Sequence, residues 1–344
     1  MQTTIPYGVT SVPRDWRKII APYQQVNLRK SIVQLVNSIV PYLLLWVVMY
    51  YTLRISYALT LLISVLASGF LLRIFILFHD CTHAALFKSR RANDIFGIIT
   101  GLFAFTPYGE WRYRHNLHHA TNGNLDERGW WDIEVLTVDE YLALPRWQQL
   151  RYRIYRNPIV LFMIGAPFFF LVLQRFPRRG TRMKELKSIL FTDALLIVIV
   201  GLLCWLIGWR EYVMIQLPIA ILSSTLGLWM FYVQHQFERT YWEHKPEWDY
   251  VTASIQGSSY YKLPRILQWF TGNIGFHHIH HLSPKIPNYN LEACFMENPM
   301  FQEVHVLTLG SSLETVFAKL WDEKNKRMIN FNELAQARSL QRAS

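Results

Sequence analysis

At 344 residues, 51% hydrophobic and 15% aromatic, with a formal net charge of +11, the chain combines apolar bulk with strong basicity, which fits a membrane protein with basic faces better than a soluble globule of similar length. Three cysteines, Cys81, Cys204 and Cys294, are too few and too scattered for a disulfide framework. None forms a CxxC pair of the structural-zinc kind, so a reduced compartment is expected.

Residues 1–31 mix Pro, Arg, Lys and aromatics without an apolar run or a small-residue cleavage site, and read as a cytoplasmic N-terminal tail. The runs 32–53, "IVQLVNSIVPYLLLWVVMYYTL", and 55–78, "ISYALTLLISVLASGFLLRIFILF", are each long enough to cross ~30 Å of hydrocarbon. With only Arg54 between them they form a hairpin. Residues 189–208 and 212–233, joined through "GWREY", predict a second hairpin; Pro41 and Pro218 are tolerable there because neighbouring helices can satisfy the freed carbonyls.

Two apolar segments are shorter or oddly flanked. Residues 95–108 are too few to span and predict an interfacial segment. Residues 158–176 follow Arg151, Arg153 and Arg156, carry Arg175 at their far end and precede Arg178, Arg179, Arg182 and Lys184. Both ends therefore look cytoplasmic, which predicts a re-entrant or interfacial segment broken at Pro167. The fold class expected is an all-α integral membrane protein, with four transmembrane helices in two hairpins. A cytoplasmic helical cap is expected from residues 79–157 and 234–344, with both termini on that side and a C-terminal tail over 306–344.

Chemistry concentrates in histidine. Of twelve, eleven lie outside the four spans or at their cytoplasmic ends, and His235 sits at the mouth of the last. The groups are "HDCTH" (His79, His83), "HNLHH" (His115, His118, His119) and "HHIHH" (His277, His278, His280, His281). On a helix, positions i, i+3 and i+4 form one patch, so HxxxH and HxxHH each aim imidazoles at a common point. By that spacing His278 is the odd one out, and Ser283 and Pro284 should end its helix. Isolated histidines such as His244 and His305 read as ordinary surface or core residues.

Eight clustered imidazoles plus His235 exceed what one tetrahedral zinc needs and suit two ions of a metal with higher coordination. HExxH is absent, and no Glu has a His three residues later, which leaves an all-histidine di-iron site capable of redox chemistry with O₂.

With "HDCTHAALF", "RHNLHHATNGNLDERG", "LTVDEY", "FYVQHQFE" and "SSYYKLPRILQWFTGNIGFHHIHHLSPKIPNYNL", the chain resembles the membrane fatty-acid desaturases, in particular the bacterial and plastid-type acyl-lipid desaturases, from about residue 35 to 305. The resemblance implies a desaturase domain over 32–305 holding two non-haem iron ions on His79, His83, His115, His118, His119, His277, His280 and His281, with His235 as the extra ligand. The first box departs from the HECGH form by having Asp80 and Thr82, and Asp80 is expected to orient a ligand imidazole without binding metal. Asn273 and Glu238 are further candidates for that outer layer, and Cys81 reads as a small filler.

The implied reaction inserts a cis double bond into a lipid-linked acyl chain, with O₂ as co-substrate. No His-Pro-Gly-Gly haem signature is present, so two electrons are expected from a separate ferredoxin, flavodoxin or b-type cytochrome. The basic face can dock an acidic carrier, or reflect only positive-inside bias and anionic lipid. No nucleic-acid partner is expected, and the location implied is a bacterial inner membrane.

Trp130, Trp131, Trp229, Trp269 and Phe270 are candidate walls of an acyl tunnel, against interfacial anchoring or core packing. Two alternatives stay open: a lipid or alkane hydroxylase on the same scaffold, and a membrane metal-transport or haem electron-transfer protein. The near absence of polar groups at midspan, Arg73 and Asp193 excepted, weighs against the second.

Overall fold

The computed structural model describes residues 12–129 and 132–343. Among the described residues four helices are each long and apolar enough to cross a membrane: α1 (Leu28–Thr52), α2 (Tyr57–Thr82), α7 (Met183–Ile207) and α8 (Trp209–His235). They form the two expected hairpins. Asn27 caps α1 by accepting from the Lys30 N–H at 3.0 Å. Gly208, at φ +97°, makes the tight link from α7 to α8 that a side-chain-bearing residue would strain.

Outward faces are apolar and exposed, as lipid contact requires; Leu62, Ile197 and Trp205 are examples. Helix α2 is the most enclosed of the four and packs on both α1 and α8. The charged exceptions within the spans are partnered. Arg73 donates to Ser38 Oγ at 3.1 Å and to the Trp269 carbonyl, with its guanidinium 3.9 Å from the Trp269 ring centroid. Asp193 pairs with Arg175 at 2.7 Å.

The segment 95–108 is largely helical. It belongs to α3 (Arg90–Phe103), which turns through Phe105, at φ +53°, into α4 (Tyr108–Thr121). At 14 residues, α3 is about 21 Å long and too short to span. The antiparallel α3–α4 pair is held by Asp94, which accepts from Tyr108 at 3.1 Å and Arg112 at 2.5 Å. Gly97 lets the Tyr108 ring lie against the α3 backbone, where any Cβ would collide with it.

The segment 158–176 is bent, but not where Pro167 suggested. The 63° bend falls between α5 (Arg146–Tyr155) and Ile159, at Asn157–Pro158. A π-helical turn, Ile159–Gly165, then leads into α6 (Ala166–Leu171), and Pro167 sits in the first turn of α6, where its missing N–H costs nothing.

The cap is helical, with α9 (Tyr250–Gln256) among its helices, and has small additions of strand that hydrophobic patterning could not reveal at this length. β1 (Leu136–Thr137) pairs in parallel with β4 (Leu320–Asp322), which pairs antiparallel with β5 (Arg327–Ile329). β2 (Tyr260–Tyr261) pairs in parallel with β3 (Val306–Leu307). These pairings draw the segment beyond 305 into the cap, where Leu320 and Trp321 are buried. Trp16 and Ile20, upstream of α1, pack in one cluster with Ile279 and Leu282.

Candidate metal centre

Three helix ends and one short helix deliver the histidines. His79 lies in the last turn of α2 and His83 just past it. His115, His118 and His119 lie on α4, and His235 ends α8. His277, His280 and His281 lie on α10 (His277–Leu282), which stops, as expected, before Ser283.

The nine rings form two groups: His79, His83, His115, His119 and His280 in the first, His118, His235, His277 and His281 in the second. One nitrogen from each lies within 4.8 Å of the others in its group. The expectation that each HxxHH patch aims at a single point needs correction. On both helices the i and i+4 rings share a group while the i+3 ring crosses to the other, because i+3 and i+4 fall on opposite sides of position i. Helices α4 and α10 are thereby each tied to both groups.

Within the groups the Nε2 atoms crowd one another: His119 to His115 at 3.0 Å and to His280 at 3.1 Å, His235 to His277 at 2.9 Å and to His118 at 3.2 Å. A neutral imidazole carries one N–H, so convergent nitrogens in this number share a cation better than they share protons. The buried Nε2 atoms of His79 and His83 have no protein hydrogen-bond partner, as lone pairs reserved for a metal would. Burial, reinforced by the neighbouring imidazoles, holds His83, His115, His119, His277, His280 and His281 well below the ordinary histidine pKa. They are therefore neutral and able to donate lone pairs.

The far nitrogens show what aims the rings. His118 Nδ1 makes a short hydrogen bond to Asp132, and His235 Nδ1 donates to the Gly257 carbonyl at 3.0 Å. Each bond places the proton on Nδ1 and leaves Nε2 as the ligating atom. Asp132 went unnoticed in the sequence. It follows "GWW" fourteen residues after His118 in an irregular loop, where no helical spacing marks it.

Asp80 does something other than expected. Its Oδ1 is 3.6 Å from His79 Nδ1, beyond hydrogen-bond reach, while Oδ2 accepts from Asn288 N at 2.9 Å and Nδ2 at 2.8 Å. Asn273, at φ +58°, donates to the Asn288 carbonyl at 3.0 Å. Asp80 thus fastens the end of α2 to the start of α11 (Asn288–Glu297). Asp80→Ala is expected to leave the buried Asn288 donors unpaired and to cost about 1–3 kcal/mol, read as a lower Tm. Glu238 is exposed beside Arg327, away from both groups.

His278 joins neither group. Its Nε2 donates to the Phe301 carbonyl at 3.1 Å, and burial pushes its pKa down to about 3. His244 is exposed between Asp126 and Glu323, and His305 stacks on Phe237. Cys81 is buried among aromatic neighbours.

A cavity of about 360 Å³, within the usual range for ligand sites, opens beside the first group. Phe75, Trp111, His115, Asp132, Phe170 and Phe231 are among its walls, and Trp111 stacks on His115 with centroids 4.2 Å apart. Of the aromatic residues expected there, Trp229, Trp269 and Phe270 are not among its walls. Trp229 packs on Phe162, Trp269 lies under Arg73, and Phe270 packs against Gly69. Trp130 and Trp131 lie outside the described residues.

Residues 54–309 match the model of the fatty acid desaturase family. A fatty acid desaturase of Bacillus subtilis is 44% identical over 317 residues, covering 92% of this chain and 90% of that protein. The sn-1 acyl-lipid omega-3 desaturase (ferredoxin) of Nostoc is 26% identical over 72% of this chain and 69% of its own length. The chloroplastic omega-6 fatty acid desaturase of spinach is 26% identical over 64% of this chain and 48% of its own length. With four candidate membrane helices and two histidine groups able to hold metal, the chain belongs to the fatty acid desaturase family and is an oxidoreductase that desaturates fatty acyl chains.

Proposed function

We propose that the two histidine groups hold two non-haem iron ions, the first on His79, His83, His115, His119 and His280, the second on His118, His235, His277 and His281, and that the enzyme places a cis double bond in a membrane-lipid acyl chain. The observation that carries this is the convergence of nine imidazoles, with no carboxylate among the described residues, into two sets of nitrogens. When bound, the irons supply the redox chemistry with O₂. Two hydrogens leave the chain, and with two external electrons and two protons O₂ ends as two waters.

The protein's own residues prepare that event. The cavity holds the chain against the first group and keeps bulk water from it, with the Trp111 ring, stacked on His115, beside the reacting carbons. Asp132 and the Gly257 carbonyl keep protons on the outer nitrogens of His118 and His235. Residues 32–305 carry the desaturase domain. The metal-bearing end, both termini and the segment from 306 face the cytoplasm of a bacterial cell, with the spans in its inner membrane. Electrons come from a separate carrier; a ferredoxin, as named for the Nostoc relative, leads over a flavodoxin or a b-type cytochrome.

Expression in a host lacking the activity, followed by gas chromatography and mass spectrometry of its lipids, tests this reading. New cis-unsaturated chains are expected in the phospholipid fraction. Hydroxylated chains without new double bonds would sink it.

A further inference from the structure

Two ends of the acyl cavity differ in chemistry. At one, Asp132, Tyr155 and Arg178 line both this cavity and a wide polar cleft of about 670 Å³ that also meets Arg128 and Glu134. At the other, the lining is Phe75, Phe170 and Gly227. Phe75 lies one helical turn deeper along α2 than His79, and Gly227 lies two turns deeper along α8 than His235.

The Phe75 and Phe170 rings meet edge to face, with centroids 5.7 Å apart. The same three residues line a second space of about 30 Å³, which continues between α2 and α8 toward Leu72 and Ser224. That volume takes about one water-sized group. Phe75, Phe170 and Gly227 therefore stand as a partition between a chamber and a stub. A Cβ built on Gly227 would meet only Leu72 Cδ1, at 3.9 Å, so packing does not forbid a side chain there. Its absence leaves the chamber its present depth.

We propose that Phe75, Phe170 and Gly227 form the stop against which the methyl end of the acyl chain rests, and thereby select the carbon pair presented to the metal centre. This rests on the reading that the cavity holds the acyl chain. A saturated chain carries no functional group near the reacting carbons, so a site can distinguish them only by length from a fixed point. The polar end accommodates the head, and the aromatic end supplies the fixed point. Removing a ring joins chamber to stub and lets the chain slide deeper, bringing a pair nearer the head group to the metals. Filling Gly227 does the opposite.

The test compares wild type with Phe75→Ala, Phe170→Ala and Gly227→Leu, locating double bonds in host lipids by mass spectrometry and measuring iron in each purified protein. Phe75→Ala and Phe170→Ala are expected to move the double bond of most product toward the head group. Gly227→Leu is expected to move it toward the methyl end and to lose the longest substrates. Phe75 also packs on Trp111, so Phe170→Ala and Gly227→Leu carry the test if Phe75→Ala does not accumulate.

A second readout needs no turnover. In iron-free protein the longest acyl chain that raises Tm should lengthen in Phe170→Ala and shorten in Gly227→Leu. Unchanged positions and chain-length limits at wild-type iron content, or shifts in the same direction for both kinds of change, would overturn the proposal. A wild-type protein that makes no unsaturated chain would instead overturn the reading beneath it.

Discussion

His119→Ala is expected to abolish desaturation, with a loss greater than the ~10²-fold that removing an outer partner of a metal ligand can cost. Its Nε2 lies 3.0 Å from His115 and 3.1 Å from His280, so its loss opens the middle of the first group. Iron bound per chain should fall, and Tm with it, because binding at a site absent from the unfolded chain adds to folding stability. His278→Ala is the matched control. It removes a buried imidazole from α10, the short helix that carries His280, but one whose bond goes to the Phe301 carbonyl. It should cost about 1–3 kcal/mol of stability through that unpaired carbonyl while retaining iron and activity per folded molecule. Metal analysis alongside lipid analysis of the two variants separates a ligand from a buried bystander; equal iron loss in both would count against the assignment of His119.

Asp132→Ala carries the second large effect. The carboxylate is the single side-chain acceptor on His118 Nδ1 among the described residues, and His118 is the ring that α4 contributes to the second group. Without it the ring loses both its orientation and the preference for a proton on Nδ1. A fall of about 10–100-fold in metal affinity is expected, confined to the second group. Titration of iron-free protein with ferrous ion should then show one site near wild-type affinity and one weakened. Two unchanged sites would mean that Asp132 serves only as cavity wall. Asp132→Asn, which can still accept from Nδ1–H but lacks the charge, should fall between the two.

What could be read in the chain and what could not divides along a physical line. Apolar runs of span length are a local property, and the four spans and their pairing into hairpins follow from it directly. The HxxxH and HxxHH spacings are equally local, and they bring eight of the nine grouped rings into consideration and set His278 apart, while His235, alone at the end of its span, enters through the resemblance. Their division between two groups is not local. It depends on how α4 and α10 face one another, and the helical period alone, which led to one point per patch, cannot supply that. Asp132 reaches His118 across an irregular loop, and Asp80 reaches Asn288 from 208 positions away. The same holds for the cavity, whose walls come from α2, α4, α6 and α8, so that Trp229, Trp269 and Phe270 serve elsewhere. The strand pairing that draws residues 306–329 into the cap involves two or three residues a side, too few for any alternation to register.

Iron content of the purified wild-type protein, reconstituted under reducing conditions, tests the central claim most directly. Two groups, of five and four histidines, predict two iron ions per chain, bound without haem. A single iron, zinc retained in preference to iron at both groups, or a Soret band would contradict it.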